Sequence, residues 1–161
     1  MQFHFKETMR GRVENPDGSL SPFEFTITSR ARGLAACALG EPFDVSGTAS
    51  LSDISERAMV GGTLLVALPL KRILRYDLSF KAPDGALYRY MGRKDVRYLH
   101  LLRTMSWLRG TLFRNGDGVG QAELWFSYGD LPAFILSFRP GIIPAMRSAM
   151  RRLRNARRES A

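Results

Sequence analysis

The feature that most constrains this chain is a period of two in its hydrophobic residues, clearest over residues 74–80. Four large apolar side chains alternate there with polar ones, namely Leu74, Tyr76, Leu78 and Phe80. Such alternation places the apolar and the polar groups on opposite faces of a β-strand. Residues 82–85 (Ala-Pro-Asp-Gly) then form a typical turn sequence, and a second β-rich run follows over residues 87–91. This part of the chain is therefore predicted to be a β-hairpin.

The same pattern recurs along most of the chain and predicts about eight strands joined mainly by short turns. The other runs cover residues 3–13, 23–28, 43–52, 63–70, 105–113 and 119–127. We interpret residues 31–39 as a short helix or an irregular crossover, and we expect a loop to begin at residues 93–95. The predicted fold class is mainly β: an antiparallel meander closed into a lipocalin-like barrel. A barrel of this size holds packed side chains or one small ligand.

The pattern changes to helical spacing after Asp130, which predicts one or two C-terminal helices. We divide the chain into a β-barrel domain (residues 1–139) and a basic amphipathic C-terminal helix (residues 140–161). The net charge is +9, yet from Arg139 onward there are seven Arg and one Glu. Candidate contacts to a membrane or partner surface are Arg147, Arg151, Arg152, Arg154 and Arg158.

Three uses of this helix are open, ranked as docking on the barrel, binding an anionic membrane surface, and binding nucleic acid. Nucleic acid ranks last because no aromatic residue is interleaved with the arginines for base stacking. No signal peptide and no bilayer-spanning run is visible, so we expect a cytoplasmic protein, peripheral to the membrane if the helix binds lipid.

Catalytic and cofactor motifs are missing from the sequence. Two His and one Cys match no zinc spacing, and neither a G-x-S-x-G elbow nor a phosphate-binding loop occurs. We therefore expect no cofactor, no metal and no catalytic residue. An enzyme using Glu7 or His100 as a base ranks third among the functional hypotheses.

Glu7 is the most informative carboxylate, because it falls on the apolar face of the first strand. A buried carboxylate is costly unless it is paired, so Glu7 could orient a polar group of a ligand. The alternatives are a β-bulge that turns Glu7 outward and a plain ion pair with an inward Arg. Side chains that could line a ligand cavity are Glu7, Phe25, Tyr76, Leu78, Phe80, Tyr88, Tyr90, Trp107 and Trp125.

A packed core and a ligand cavity are alternatives for these aromatic residues, and the sequence does not separate them. The small inward residues Gly47 and Ala49 leave room either for large neighbours or for a ligand.

Two segments resemble a known family. Residues 5–11 (FKETMRG) are one, and residues 74–80 (LRYDLSF) with Asp84-Gly85 and residues 92–96 (GRKDV) are the other. They are similar to the β-rich accessory module found with glucose–methanol–choline flavoproteins of the sterol-oxidase-like group. The flavin domain of that family has no counterpart in this chain, so no catalytic residue carries over. The resemblance implies a stand-alone accessory module that works near lipid-like substrates.

Two functional hypotheses therefore lead. The first is a non-enzymatic binding module that takes an apolar small molecule or lipid into the barrel. The second is an accessory protein with a solid barrel, whose outer face and basic helix dock on a membrane surface or on a flavoprotein oxidoreductase.

Overall fold

The computed structural model describes residues 3–31, 40–52, 54–67, 73–95 and 106–126. These residues form eight long strands and little else. The strands are β1 (Phe3–Glu14), β2 (Leu20–Ala31), β3 (Pro42–Leu51), β4 (Ser55–Ala67), β5 (Ile73–Lys81), β6 (Leu87–Asp95), β7 (Trp107–Arg114) and β8 (Asp117–Phe126).

Each strand pairs antiparallel with the next one along the chain, and β8 pairs with β1 to close the barrel. The predicted antiparallel meander of eight strands is thus confirmed. In the 74–91 hairpin the Ala82 and Ala86 backbones bond at 2.9 Å, and the Gly85 N–H donates to the Ala82 carbonyl. This is the turn that the sequence predicts.

The largest differences from the predicted strand boundaries are in β4 and β6. β4 begins at Ser55 rather than Thr63, because Ala58 to Gly62 pair with β3 although two glycines lie among them. Ladder hydrogen bonds on both sides outweigh the weak strand preference of glycine. β6 runs to Asp95, because Arg93 to Asp95 pair with the start of β5. The loop expected at residues 93–95 was therefore wrong.

The connections between strands differ at the two ends of the barrel. Four short turns, residues 15–19, 52–54, 82–86 and 115–116, lie at one end, which we call the turn end. The other three connections, residues 32–41, 68–72 and 96–106, leave from the opposite end together with both chain termini. We call this the loop end. The short helix or crossover expected over residues 31–39 begins at Ala31, which is instead the last residue of β2; the rest of that segment, His100, the C-terminal helices and the arginines of residues 140–161 lie outside the described residues.

Apolar side chains from all eight strands meet inside the barrel and form one continuous core. Gly47 does not open space in this core. A Cβ at this position would run into the Thr26 carbonyl and the Ile27 Cα of β2, so glycine lets the two backbones approach closely. Of the two uses that the sequence left open for this position, a large neighbour or a ligand, neither is needed at Gly47, because the backbone of β2 takes up the space.

Candidate functional site

Glu7 lies inside the barrel. β1 is regular around it, with Glu7 opposite Ile27 of β2, and Met9 and Val13 share its inward face. Only 1% of the Glu7 side chain is exposed. The bulge that would turn Glu7 outward is therefore wrong, and the inward direction given by the alternation is right.

Lys94 is the ion-pair partner of Glu7. Its Nζ donates to Glu7 Oε1 at 2.6 Å, and its side chain is also 1% exposed. Because β1 and β6 are not neighbours in the sheet, this ion pair spans the barrel interior rather than one ladder. The inward cation is thus a lysine, where the sequence analysis considered an arginine. The Nζ also lies 5.0 Å from the centre of the Tyr76 ring, which adds a cation–π attraction.

Tyr76 completes the hydrogen bonding of the Glu7 carboxylate. Its hydroxyl donates to Oε2 at 2.9 Å and lies 3.2 Å from Oε1. Burial, and then the negative charge of Glu7, raise the pKa of Tyr76 well above its usual value. The phenol therefore stays protonated and remains a donor. Glu7, Lys94 and Tyr76 form one compact group that we call the polar cluster.

Tyr90 lies beside this group with its hydroxyl unused. The hydroxyl is buried and has no hydrogen-bond partner among the described residues. Burial and the Glu7 charge raise the pKa of Tyr90 too. Its side chain runs over Gly92, where a Cβ would lie 2.7 Å from the hydroxyl, and over Gly110, where a Cβ would lie 2.6 Å from the ring. The glycines thus make room for the phenol, so that a buried donor faces the loop end.

An unpaired buried hydroxyl costs about 1–3 kcal/mol relative to a paired one. Natural barrels keep few such groups, and each calls for a physical explanation. Ser29, two residues beyond Ile27 on the inward face of β2, carries a second buried hydroxyl without a partner in the described part of the chain. Both hydroxyls lie in the loop-end half of the barrel, as the polar cluster does, whereas a third unpaired buried hydroxyl of the described residues, that of Ser55, lies at the start of β4 at the turn end.

The remaining interior candidates close the barrel toward the turn end. The Phe80 and Tyr88 rings stack at 5.3 Å, and Phe23 meets Tyr90 edge-on at 5.4 Å. Phe25 and Leu78 are almost completely inaccessible. These side chains pack against one another as a core.

Trp107 and Trp125 are not in the interior. They pair with each other across β7 and β8 and lie on the outer face, 38% and 41% exposed. The alternation explains this correction, because Leu108 and Leu124 occupy the inward positions beside them. The structure therefore brings together Glu7, Tyr76 and Tyr90, adds Lys94, and separates the two tryptophans from them.

Lys94 was missed because it was assigned to a loop. The signal was nevertheless present, since Tyr88, Tyr90, Gly92 and Lys94 continue the alternation of β6.

Among the described residues, no group of three His, Cys, Asp or Glu side chains could hold a metal ion. The same part of the chain contains no helix long and apolar enough to cross a bilayer.

The fold and the cluster define a closed eight-stranded meander barrel with a buried ion pair inside it. Comparison with known proteins adds no relative: no protein-family model, no curated protein and no solved structure matches this chain significantly.

Proposed function

We propose that this barrel is a non-enzymatic binding module, lipocalin-like in its use of the lumen, that takes an apolar or lipid-like ligand at the loop end. The observation that carries the proposal is the buried Tyr90 hydroxyl, which has no partner among the described residues and lies beside the polar cluster. A ligand oxygen would supply the missing hydrogen bond and remove the cost of leaving this donor unpaired.

The charge of the cluster indicates which polar group the ligand carries. The Glu7 carboxylate and the Lys94 ammonium neutralise each other, so a ligand carboxylate would add a buried charge without a counter-ion. A neutral hydroxyl or carbonyl oxygen can accept from Tyr90 without that cost. The proposed ligand is therefore a neutral lipid such as a sterol, a long-chain alcohol or a ketone rather than a fatty acid.

The depth of binding is limited by the packed turn end. Below the cluster, the Phe80 ring stacks on those of Phe23 and Tyr88, with ring centres 6.2 Å and 5.3 Å apart. The apolar part of the ligand would instead lie above the cluster, between inward side chains of the loop end, namely Phe43, Val66, Leu74 and Phe126. The polar cluster then forms the floor of the site, and Tyr90 fixes the orientation of the ligand.

The test is native mass spectrometry of the protein purified from its own host, with organic extraction of any bound molecule, followed by thermal shift assays. We expect a stoichiometric neutral lipid, and we expect sterols or long-chain alcohols to raise the melting temperature more than fatty acids do. Tyr90→Phe should abolish this shift, whereas Tyr88→Phe, the matched change at the turn end, should retain it. A ligand-free mass together with no shift for any lipid would overturn the proposal.

A second candidate function is that of an accessory protein that docks through its outer face. The exposed Trp107–Trp125 pair favours it, as does the resemblance of two segments to modules of sterol-oxidase-like flavoproteins. The partner would be a flavoprotein oxidoreductase or a membrane to which the protein is peripheral on the cytoplasmic side. Removal of residues 140–161 should then abolish association while the barrel remains folded.

A further inference from the structure

Two exposed tryptophans stand side by side on the outer wall of the barrel. Trp107 at the start of β7 pairs with Trp125 near the end of β8, and Trp125 in turn pairs with Arg10 of β1. The strand ends place this row at the loop end. Adjacent large aromatic groups that remain exposed on the outer wall often mark a binding surface.

Guanidinium groups surround the two indoles. The Arg109 Cζ lies 3.9 Å from the centre of the Trp107 ring, and the Arg12 Cζ lies 5.9 Å from that of Trp125. Arg93 is opposite Arg109 in the next ladder. We call this surface the tryptophan patch, and its residues are Trp107, Trp125, Arg10, Arg12, Arg93 and Arg109.

The four arginines of the patch face three acidic side chains, so the surface has a net positive charge. Arg109 pairs with Glu123 at 3.2 Å, Arg10 with Glu24, and Arg93 with Asp95. Arg12 of β1 stands opposite Glu123 of β8 in the ladder, but Glu123 pairs with Arg109, and no acidic side chain of the described ranges forms an ion pair with Arg12. A positive charge beside two indoles fits an anionic surface into which aromatic rings can insert.

The sequence next to the patch adds positive charge. Trp125 is followed by only one more residue of β8, after which residues 127–161 leave from the loop end. From Arg139 onward this part of the chain has seven Arg and one Glu. In the sequence, the patch is thus followed by a basic segment, and both carry positive charge.

We propose that the tryptophan patch docks the barrel on an anionic phospholipid membrane, with the two indoles at the level of the headgroups. Tryptophan favours this interface because its ring is apolar and its N–H can still reach a polar partner. Arginine binds lipid phosphates with charge-assisted hydrogen bonds. This docking is independent of ligand binding in the interior, because the patch faces the opposite side of the wall.

The chain itself provides the probe, since Trp107 and Trp125 are its two tryptophans. Tryptophan emission of the unmodified full chain, excited selectively over its five tyrosines, therefore reports on the patch. Vesicles of phosphatidylcholine with phosphatidylglycerol should shift the emission to the blue, and brominated acyl chains should quench it. Vesicles of phosphatidylcholine alone should have a much smaller effect, and added salt should weaken binding to the anionic ones.

Co-sedimentation with the same vesicles tests whether the two tryptophans contribute to binding. Trp107→Ala with Trp125→Ala should weaken binding by about tenfold or more, whereas Met59→Ala should leave binding unchanged. Met59 is the matched control because it is 76% exposed on β4, away from the patch. Circular dichroism and urea unfolding should show that both variants keep the folded barrel.

An unchanged emission spectrum with anionic vesicles would overturn the proposal, as would full binding by the double tryptophan variant. The second outcome would assign vesicle binding to the basic sequence alone. Emission that shifts with an acidic protein but not with vesicles would also overturn it, and would mark the patch as a protein interface. A neutral lipid bound in the interior would leave the emission unshifted, so a failure here is distinguishable from a failure of the proposed ligand site.

Discussion

The turn end and the loop end of this barrel are built from the same strands but have different interiors. At the turn end, the described core is aromatic and aliphatic, with Phe23, Phe80 and Tyr88 in ring contact. At the loop end, the same wall carries the buried pair of Glu7 and Lys94. Both ends hold unpaired buried hydroxyls, that of Ser55 at the turn end and those of Ser29 and Tyr90 at the loop end. Among the described residues, the buried ion pair lies at the loop end, where buried charge is costly.

This difference separates stability from function within one sheet. Apolar packing supplies stability at a rate of about 25 cal/mol per Å² buried, so the turn end needs no further explanation. A buried ion pair is weak evidence for stability, because well-packed apolar residues of similar volume often do as well or better. The polar cluster is therefore better explained by a role at the loop end than by the folding of the barrel.

The largest expected effect comes from breaking the ion pair on one side. Lys94→Met leaves the Glu7 carboxylate buried without its cation, and we expect the free energy of unfolding to fall by about 3–5 kcal/mol. Removing both charges in Glu7→Leu with Lys94→Met should recover most of this loss. Urea denaturation of the two single variants and the double variant measures the coupling as a double-mutant cycle.

The control compares the loss of stability in the double variant with the sum of the losses in the two single variants. If the double variant were as unstable as the sum of the single variants, the two groups would be energetically independent. Glu7 and Lys94 would then behave as two separately solvated groups rather than as an ion pair. The contrast between the turn end and the loop end would disappear.

The sequence predicts the strands of the barrel, and which side chains point inward, better than it predicts the contacts inside the barrel. A period of two fixes which face of a strand is buried, so the inward direction of Glu7, Tyr76 and Tyr90 follows from the alternation alone. Lys94 lies on that same alternation, but a lysine between Arg93 and Asp95 resembles the start of a polar loop. Only its pairing with Leu74 across the ladder shows that the strand continues.

Contacts across the lumen are the part that the sequence cannot provide. Glu7 and Lys94 are 87 residues apart, and their meeting depends on the closure and shear of the whole barrel. Local patterns carry no information on which inward residues of opposite walls lie at the same height. For the two tryptophans, by contrast, the local pattern was sufficient. The alternation gave their outward direction, whereas their size and aromatic character suggested an interior position.

A matched pair of leucines in β7 compares the two ends directly. Leu112 is buried toward the turn end and Leu108 toward the loop end, where it lies next to the Tyr90 hydroxyl. Leu112→Ala should cost about 2–5 kcal/mol, because it leaves a dry cavity. Leu108→Ala should cost about 1 kcal/mol less, since water in its cavity can accept a hydrogen bond from Tyr90.

Denaturation of the two leucine variants under identical conditions gives both numbers. The difference should vanish in the Tyr90→Phe background, in which no hydroxyl remains to bind water. A larger loss for Leu108→Ala than for Leu112→Ala would mean that the loop end is the more tightly packed half.

The smallest expected effect is a dependence of stability on alkaline pH. Burial, and next the Glu7 charge, raise the pKa values of Tyr76 and Tyr90 above the ordinary value of 10.0. The native barrel therefore keeps two protons that the unfolded chain loses above pH 10. Their contribution to stability is complete below pH 10 and is lost as the pH rises above it, by about 1.4 kcal/mol per pH unit for each tyrosine.

Urea midpoints between pH 9 and pH 11, measured for the wild type and for Tyr90→Phe, test this dependence. The midpoint should fall less steeply with pH in the variant. Parallel curves would mean that Tyr90 loses its proton as readily in the barrel as in the unfolded chain, and the loop end would then be open to water rather than closed over an unpaired donor.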